Sequence, residues 1–381
     1  MKLAPVLLAA ALALPSAAVA RPKDAAIDAY VAQAMAKAGS QGLALAVIDD
    51  GRVAYVKTYG KRNAQGDPLT PDTVMYGASL TKAVFAWTVL QMVDDGLLDL
   101  DRPIAEYLPR PLPEYVGQAN RYSAWDTLSD ERWRKITPRI LLTHSGGFAN
   151  FYWLEPDRKL HIHFDPGSRY AYSGDGLMLL QFAIEQGLGL DLGLEMQRRV
   201  FDRYGMKTSS VIWRPDFATN LADGWDKDGK PEPHDQRGKV RAAGSLDTTI
   251  NDFARFSAAV ASGEGLSPKM RAEFAKAQLP ITTATQFPPL QDELPPAARK
   301  KGLAAGLGVV TFEGPQGRGF FKGGHNDVTG NTWACVDKTR DCVVLLSNDV
   351  RSETVYADLV RFILGDAGAP YDWEYGDQAG K

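Results

Sequence analysis

The alternation of apolar and polar residues is concentrated near the two ends of the chain, where it predicts β-strands. Residues 42–50 and 52–60 form two such runs, joined at Asp50-Gly51, a dipeptide typical of hairpin turns. Near the other end, four successive antiparallel strands are predicted at 306–313, 317–323, 330–337 and 341–348. An amphipathic helix at 352–364 follows them. Both ends of the chain are therefore expected to contribute to one sheet.

The middle of the chain has the wider spacing of apolar residues that predicts helices. One helix runs from Ser79 to about Asp95 and ends at Gly96. Further helices are predicted at 138–142, 176–187, 192–204 and 249–262. Residues 109–135 and 280–300 contain many prolines and no apolar periodicity, so they are interpreted as an irregular surface excursion and a loop. The fold class is therefore α/β (α+β), an antiparallel sheet from both chain ends with flanking helices, plus an inserted, mostly helical subdomain.

Length and composition fit one large globular unit. The chain has 381 residues, of which 45% are apolar and 23% charged. We predict one domain at 21–365, with its sheet part at about 40–78 and 303–365, its helical part at about 79–300, and a tail at 366–381. The net charge of −3 gives no bias toward nucleic acid or an anionic membrane.

The first twenty residues have the three parts of an export signal. Lys2 supplies a positive start, residues 3–14 an apolar run, and residues 18–20 a small-residue cleavage site before Arg21. A membrane anchor is the alternative, but the run is short. We therefore expect an exported chain, periplasmic or secreted from a bacterium, with no membrane anchor after the signal is removed.

The two cysteines lie on either side of a predicted hairpin tip. If Lys338-Thr339 forms the tip, Cys335 and Cys342 face each other across it, at a spacing that suits a disulfide. Export makes oxidation favourable. Two buried thiols are the alternative. We expect the disulfide.

A serine and a lysine are brought together at the start of the helix that begins at Ser79. Lys82 follows by three residues, and positions three apart lie on one face of a helix, about 5–6 Å between Cβ atoms. The positive end of the helix dipole favours negative charge on the serine oxygen and depresses the pKa of a nearby lysine. Ser79 is thus a candidate nucleophile and Lys82 its base. The alternative is that Ser79 only caps the helix.

Four short motifs occur in this chain, and only their combination, in this order, resembles a known protein family. They are Ser79-x-x-Lys82, Leu141-Leu142-Thr143-His144-Ser145-Gly146-Gly147, Pro166-Gly167 with Tyr172-Ser173, and Ala243-Gly244-Ser245-Leu246. Together they resemble the β-lactamase-related serine hydrolases, which include class C β-lactamases, D-alanyl-D-alanine carboxypeptidases, D-aminopeptidases and esterases. The resemblance implies a small-molecule or short-peptide substrate, an acyl-enzyme on Ser79, and no metal or organic cofactor.

The second motif of such enzymes has a tyrosine followed two residues later by an asparagine. Tyr172 matches the tyrosine, whereas Gly174 stands at the asparagine position. A tyrosine oxygen near Lys82 can relay a proton to the leaving group, because phenol and amine have similar pKa values. Tyr170 is a competitor for this role, and a core aromatic is the structural alternative. The missing asparagine puts recognition of a substrate amide in doubt.

The third motif, a Lys or His followed by a small residue and a glycine, fits in two registers. Lys322-Gly323-Gly324 places glycine where the substrate must approach the backbone, whereas His325-Asn326-Asp327 places a carboxylate there. The absence of a Cβ is the physical requirement, so the first register is preferred.

In the preferred register, the N–H groups of His325 and Ser79 would form an oxyanion hole. Lys322 would disfavour protonation of Lys82 as a second cation, unless Lys322 is merely a solvated strand residue.

Other kinds of site are less well supported by the sequence. No Gly-x-Ser-x-Gly segment occurs, so an α/β-hydrolase nucleophile elbow is not supported. His161 and His163 with Asp165 resemble a metal cluster, but further ligands at suitable spacing are lacking, so no metal is expected.

The expected function is an exported serine hydrolase, esterase-like on small acyl substrates because Gly174 offers no amide to an acylamino side chain. The alternatives are a D-alanyl peptidase, a class C-type β-lactamase, or a secreted binding protein without catalysis on the same scaffold.

Overall fold

The computed structural model describes residues 21–376, so the predicted export signal at 1–20 lies outside the described residues. Its strands are β1 (Gly42–Asp49), β2 (Arg52–Gly60), β3 (Met75–Ala78), β4 (Gly224–Trp225), β5 (Pro231–Glu232), β6 (Leu246–Thr248), β7 (Leu279–Pro280), β8 (Ala304–Ala305), β9 (Val310–Gly314), β10 (Gly317–Asn326), β11 (Thr329–Val336) and β12 (Asp341–Ser347). Its helices are α1 (Asp24–Ala38), α2 (Leu80–Asp94), α3 (Pro138–Leu142), α4 (Gly174–Gly187), α5 (Leu192–Met196), α6 (Ile250–Ser262), α7 (Pro268–Phe274), α8 (Tyr356–Leu364) and α9 (Tyr371–Tyr375).

Eight strands form one antiparallel sheet in the order β2-β1-β12-β11-β10-β9-β8-β7. The predicted joining of the two chain ends is confirmed, because β1 pairs with β12, with Leu45 opposite Leu345. Successive side chains of β1 point to opposite faces. Leu45 therefore packs with α1 and α8, whereas Ala46 packs with α2 and the helical part of the chain. Burial on both faces explains why this strand is almost entirely apolar.

The predicted strand at 306–313 is interrupted in the structure. Strands β8 and β9 are separated by a tight turn in which Gly306 N donates to Val309 O at 2.9 Å. Gly308 has φ +77° and lies against Ala86, where a Cβ would collide with that side chain. The approach of helix α2 thus requires glycine in the turn, a tertiary constraint that the apolar run conceals.

The irregular stretch at 109–135 differs from its prediction in where it lies. It has no regular strand or long helix, as expected, but its aromatic residues are buried. Tyr115, Tyr122 and Trp125 surround the ring of Phe182, with ring centroids 4.8, 5.0 and 5.6 Å away. The stretch is therefore part of the core around α4, because aromatic rings bury large apolar areas without needing a period.

Two helices that the apolar pattern did not predict cover the face of the sheet opposite α2. Helix α1 buries Ile27 and Val31 there. Helix α9 lies in the segment 366–381, which the sequence analysis treats as a tail, and its Trp373 is fully buried. The Tyr371 hydroxyl and the Thr332 hydroxyl are hydrogen-bonded at 3.0 Å, which ties α9 to β11. Five residues are too few for helical periodicity to be visible in the sequence.

The cysteine prediction is confirmed. Cys335 and Cys342 are paired residues of β11 and β12, form a disulfide, and have Cα atoms 4.1 Å apart. Among the described residues, no single helix has the length and apolar character to cross a bilayer, and one pair of helices, Gly174–Gly187 with Leu192–Asp202, meets that test only jointly, across a bend of 102°.

Candidate active site

Ser79 lies between a short strand and a helix, at a point where the backbone is strained. Strand β3 pairs with β6, and the residue before the serine, Ala78, has φ +47°, which non-glycine residues rarely adopt. Thr81 Oγ1 donates to Ala78 O at 2.5 Å and accepts from Leu246 N at 3.0 Å. Asn331 Nδ2 donates to both Tyr76 O and Gly324 O at 3.0 Å. These contacts hold the turn so that Ser79 Oγ projects into a cavity.

The Ser79 side chain does not cap helix α2, which separates the two interpretations of this residue. Instead, Ser79 Oγ lies 2.9 Å from Lys82 Nζ and accepts a hydrogen bond from the Tyr172 hydroxyl at 2.8 Å. The structure therefore brings together the three residues that the sequence analysis assigned to catalysis. A hydroxyl between an amine and a phenol is placed to lose a proton to the amine when it attacks a substrate.

The surroundings of Lys82 favour its neutral form. Its side chain is fully buried, and Nζ donates to Ala243 O. Burial, followed by the neighbouring cations Lys322 and Arg241, holds the pKa of the Lys82 amine well below its ordinary value. An amine that stays neutral can accept a proton, which is the requirement for a general base.

Tyr172 and its competitor Tyr170 point in different directions. Tyr172 faces Ser79, whereas the Tyr170 hydroxyl donates to Gln286 Oε1 at 3.2 Å. Burial raises the pKa of the Tyr172 phenol, although its hydrogen bond to Ser79 opposes that shift. Tyr172 therefore remains protonated and able to donate. The Nζ atoms of Lys82 and Lys322 lie 4.9 and 5.3 Å from the centre of its ring.

His144 is a site residue that the sequence analysis included in a motif without assigning it a role. Its ring stacks on Tyr172 with centroids 4.6 Å apart, and its Nδ1 accepts from Ser173 N at 3.1 Å. Burial, and then the charges of Lys82 and Lys322, hold the pKa of His144 well below its ordinary value. A neutral imidazole supports the tyrosine ring without adding a positive charge beside it.

Strand β10 provides the wall opposite Ser79. A Cβ on Gly324 would lie 3.0 Å from Ser79 N and 2.8 Å from Leu80 N, so only glycine fits there. The register with glycine at position 324 therefore brings the backbone of β10 against the serine. His325 is the next residue on β10, and its ring lies 3.3 Å from the carboxylate of Glu353.

Lys322 is buried, which differs from the solvated strand residue considered as its alternative. Its Nζ donates to Gly323 O at 2.6 Å. Burial lowers the pKa of Lys322 to about 8, and the carboxylate of Glu374 opposes this shift. The lysine thus lies in the same electrostatic environment as Lys82 and Tyr172.

These groups open into a cavity of about 320 Å³. Much of its wall comes from residues that the sequence analysis did not identify. They lie in the segment before α4, in the turn before β6, in the proline-rich loop at 280–300 and in α9, and they are Asn150, Phe151, Arg241, Gln286, Phe287 and Glu374. No spacing pattern links these residues to Ser79, so no sequence signal was available.

The departure at Gly174 has a structural counterpart. A Cβ at this first residue of α4 would collide with the Phe151 ring. Gly174 N donates to Asn150 Oδ1 at 2.9 Å. The space of the expected asparagine side chain is therefore occupied by an aromatic ring, and Asn150 Oδ1 is engaged by the backbone of Gly174.

The three residues considered as a metal cluster each have another partner. His161 Nε2 lies 3.0 Å from Asp157, His163 Nε2 lies against Glu155, and Asp165 pairs with Arg132 at 3.0 Å. Each side chain is thus engaged by a separate partner, the histidines in hydrogen bonds and Asp165 in an ion pair.

Comparison with known proteins gives a family, several relatives and a fold. A family model described as Beta-lactamase matches residues 27–367. The chain is 31% identical over 202 residues to lovastatin esterase of Penicillium rubens, covering 45% of this chain and 49% of the relative. It is 27% identical over 254 residues to esterase EstB of Burkholderia gladioli, covering 58% of each. The chain thus spans about half the length of these curated relatives.

The solved structures support the fold. The octameric penicillin-binding protein homologue from Pyrococcus abyssi superposes with a TM-score of 0.70 at 18% identity, covering 92% of this chain and 79% of that one. At this identity the likeness concerns the arrangement of strands and helices.

Proposed function

The chain belongs to the β-lactamase family of serine hydrolases, and on that premise we propose that it hydrolyses small esters through an acyl-enzyme on Ser79. One observation carries the proposal: the Ser79 hydroxyl lies within hydrogen-bond distance of both a buried lysine and a buried tyrosine. The residues involved are Ser79, Lys82 and Tyr172, with Gly323, Gly324 and His325 lining the opposite wall and Lys322 buried behind it, 5.3 Å from the Tyr172 ring.

In the acylation step, Ser79 Oγ attacks the ester carbonyl carbon while neutral Lys82 takes its proton. The carbonyl oxygen gains negative charge and accepts hydrogen bonds from the N–H groups of Ser79 and His325. The C–O bond to the leaving group then breaks. Tyr172 donates its proton to the departing oxygen and recovers one from protonated Lys82, so both groups return to their starting forms.

In the deacylation step, water enters where the leaving group stood and the same relay runs in reverse. Tyr172 gives its own proton to neutral Lys82 as it takes one from the attacking water, and protonated Lys82 then gives a proton to Ser79 Oγ. The acyl C–O bond to Ser79 breaks, and the free acid and the serine hydroxyl are formed. The route uses only groups already hydrogen-bonded to Ser79.

Two features favour esters over amide-bearing substrates. The Phe151 ring fills the place of an amide side chain at Gly174, so an acylamino group would lose a partner there. The relatives named above include two esterases. An active site that hydrogen-bonds a substrate's amide group rejects substrates without that amide. A site that lacks the hydrogen-bonding side chain has no reason to prefer amide-bearing substrates over simple esters.

A hydrolysis panel tests the proposal. We expect kcat/KM for p-nitrophenyl esters to exceed that for a chromogenic cephalosporin by at least about tenfold, with D-alanyl peptides also poor substrates. Covalent labelling by a fluorophosphonate should occur on Ser79. A cephalosporin value equal to or above the ester value would overturn the ester preference, and absence of both labelling and turnover would favour a binding protein.

We also propose that the chain is exported, with residues 1–20 as its signal, and that the single catalytic domain predicted at 21–365 also includes helix α9, which buries Trp373 and contributes Glu374 to the cavity. The Cys335–Cys342 disulfide supports an oxidising compartment. Expression of the full chain in a Gram-negative bacterium, followed by fractionation and mass spectrometry, should give a periplasmic protein beginning near Arg21. A cytoplasmic protein that retains Lys2 would contradict export.

A further inference from the structure

The carboxylate of Glu374 lies beside the third motif. It comes from α9, and a Cβ on Gly323 would collide with its Oε1. A carboxylate from another element thus occupies the space that the middle side chain of the motif would fill. Within the described part of the chain, Glu374 Oε2 is buried without a hydrogen-bond donor, and the residue lines the cavity.

Glu374 is held in place by contacts that fix α9 and the proline-rich loop together. Trp373 is fully buried, and its O accepts from Gln286 N at 3.0 Å. Trp373 Nε1 donates to Thr283 Oγ1 at 3.3 Å. The backbone on which the carboxylate sits is therefore anchored in the core, and the side chain cannot leave the cavity wall by movement of a loose tail.

The position of Glu374 relative to Tyr172 indicates which part of a substrate it meets. Tyr172 donates its proton to the leaving group in the proposed mechanism. Lys322 Nζ lies 5.3 Å from the Tyr172 ring, and Phe287 packs against the same ring at 5.3 Å between centroids. Glu374 lines the cavity with Phe287 and acts electrostatically on both Tyr172 and Lys322. Because Glu374 lies against Gly323, the residue after Lys322, and shares the cavity with Tyr172 and Phe287, we infer that it meets the leaving group.

The charges on this side compensate one another. Lys322 alone would attract a carboxylate on the leaving group, but Glu374, which lies against the next residue of β10, opposes that attraction. A second, half-buried carboxylate, Glu353, pairs with His325 at 3.3 Å, so this histidine is not an unopposed cation either. Burial raises the pKa of Glu374, and Lys322 and His325 oppose that rise by favouring the charged form.

We propose, resting on the ester hydrolase function above, that Glu374 determines specificity for the leaving group by excluding leaving groups that carry a carboxylate and admitting uncharged ones. A carboxylate on the leaving group would lose its water beside the carboxylate of Glu374. Lys322, the cation that could stabilise it, is already offset by the charge of Glu374. An uncharged leaving group meets Phe287 and Tyr172 without that electrostatic cost.

Two acetate esters of nearly equal shape test this inference. Methyl 3-acetoxybenzoate has an uncharged leaving group and 3-acetoxybenzoate an anionic one, and each kcat/KM is divided by the rate of hydroxide-catalysed hydrolysis. We expect the wild-type protein to favour the uncharged ester. Glu374→Gln should raise the ratio of anionic to uncharged kcat/KM by roughly tenfold or more, the usual effect of a charge within about 4–6 Å on another charged group.

Asp372→Asn is the matched control, because it removes one carboxylate from the same helix at an exposed position outside the cavity. Its ratio should equal that of the wild type. Glu374→Ala supplies the same loss of charge if the glutamine variant does not fold. An unchanged or lowered ratio in a folded Glu374 variant, or a wild type that prefers the anionic ester, would overturn the inference.

The failure of this inference is distinguishable from failure of the proposed function. If the wild type hydrolyses neither ester, or Ser79→Ala retains activity, the ester hydrolase function itself fails. If hydrolysis depends on Ser79 but the ratio does not respond to Glu374, only the specificity assignment fails.

Discussion

Ser79 and Lys82 lie three residues apart on one turn of a helix, whereas Phe287 and Glu374, on the cavity wall, come from a proline-rich loop and the last described helix. The proton-transfer groups need fixed distances of about 3 Å, which a single helical turn supplies wherever the chain folds. The cavity wall has to match only the shape and charge of one end of the substrate. Any helix, strand or loop that reaches the cavity can provide side chains that do so. If the proposed roles hold, the groups for chemistry and those for specificity come from different parts of the chain, and substitutions in the two regions should have different effects.

The largest effect is expected from loss of the nucleophile. Ser79→Ala should lower kcat by about 10⁴-fold or more, because no other group in the cavity can form the acyl-enzyme. Steady-state kinetics and fluorophosphonate labelling measure this loss, with circular dichroism to show that the fold is kept. Ser168→Ala, at an exposed serine, is the control and should behave as the wild type. Near-full activity of Ser79→Ala would refute the mechanism.

A smaller effect is expected from loss of the phenol. Tyr172→Phe should lower kcat by about 10²–10⁴-fold for alkyl esters, because the departing alkoxide then lacks its proton donor. The loss should be smaller for p-nitrophenyl esters, since nitrophenolate can leave without a proton. Tyr170→Phe is the control, because that hydroxyl bonds to Gln286 and not to Ser79. Equal losses in the two variants would contradict the assignment of Tyr172.

The boundary between the two regions can be probed through Lys322. In the proposed mechanism neutral Lys82 is the base, so kcat/KM should fall as the pH falls through the pKa of Lys82. Lys322 lowers that pKa by repulsion between like charges. Lys322→Met should therefore raise the pKa of Lys82 and move the acid limb of the pH profile upward by about one pH unit.

The control for this experiment is Lys338→Met, at the exposed tip of the β11–β12 hairpin, which should leave the acid limb in place. If the acid limb of the Lys322→Met profile is unchanged or moves to lower pH, the positive charge of Lys322 does not lower the pKa of Lys82.

The smallest effect on activity is expected at the disulfide, which lines neither part of the active-site cavity. Replacing Cys335 and Cys342 together by alanine should lower the free energy of unfolding by about 2 kcal/mol, because the closed loop is short. Chemical denaturation measures the loss, and an unreduced digest should show the two peptides linked in the wild type. A large loss of kcat with unchanged stability would link the hairpin to the active site.

The sequence predicted more of the catalytic region than of the wall. Ser79, Lys82 and Tyr172 were identified from short motifs and lie together in the structure. Glu374 was assigned to a tail, because its helix is only five residues long and shows no period. Phe151 was not identified, since the effect of its ring at Gly174 depends on how the segment before α4 folds back.

By itself, the sequence determined the antiparallel sheet from both chain ends, the disulfide, and the Ser-x-x-Lys turn, because each rests on residues close in sequence or on a regular period. It took the folded chain to bury Lys82 and Lys322 together, to bring Tyr172 rather than Tyr170 to Ser79, and to place Glu374 against Gly323. The pKa of a lysine and the charge of a cavity wall depend on burial and on neighbours distant in sequence. Neither property can therefore be read from the pattern of residues close together in the sequence.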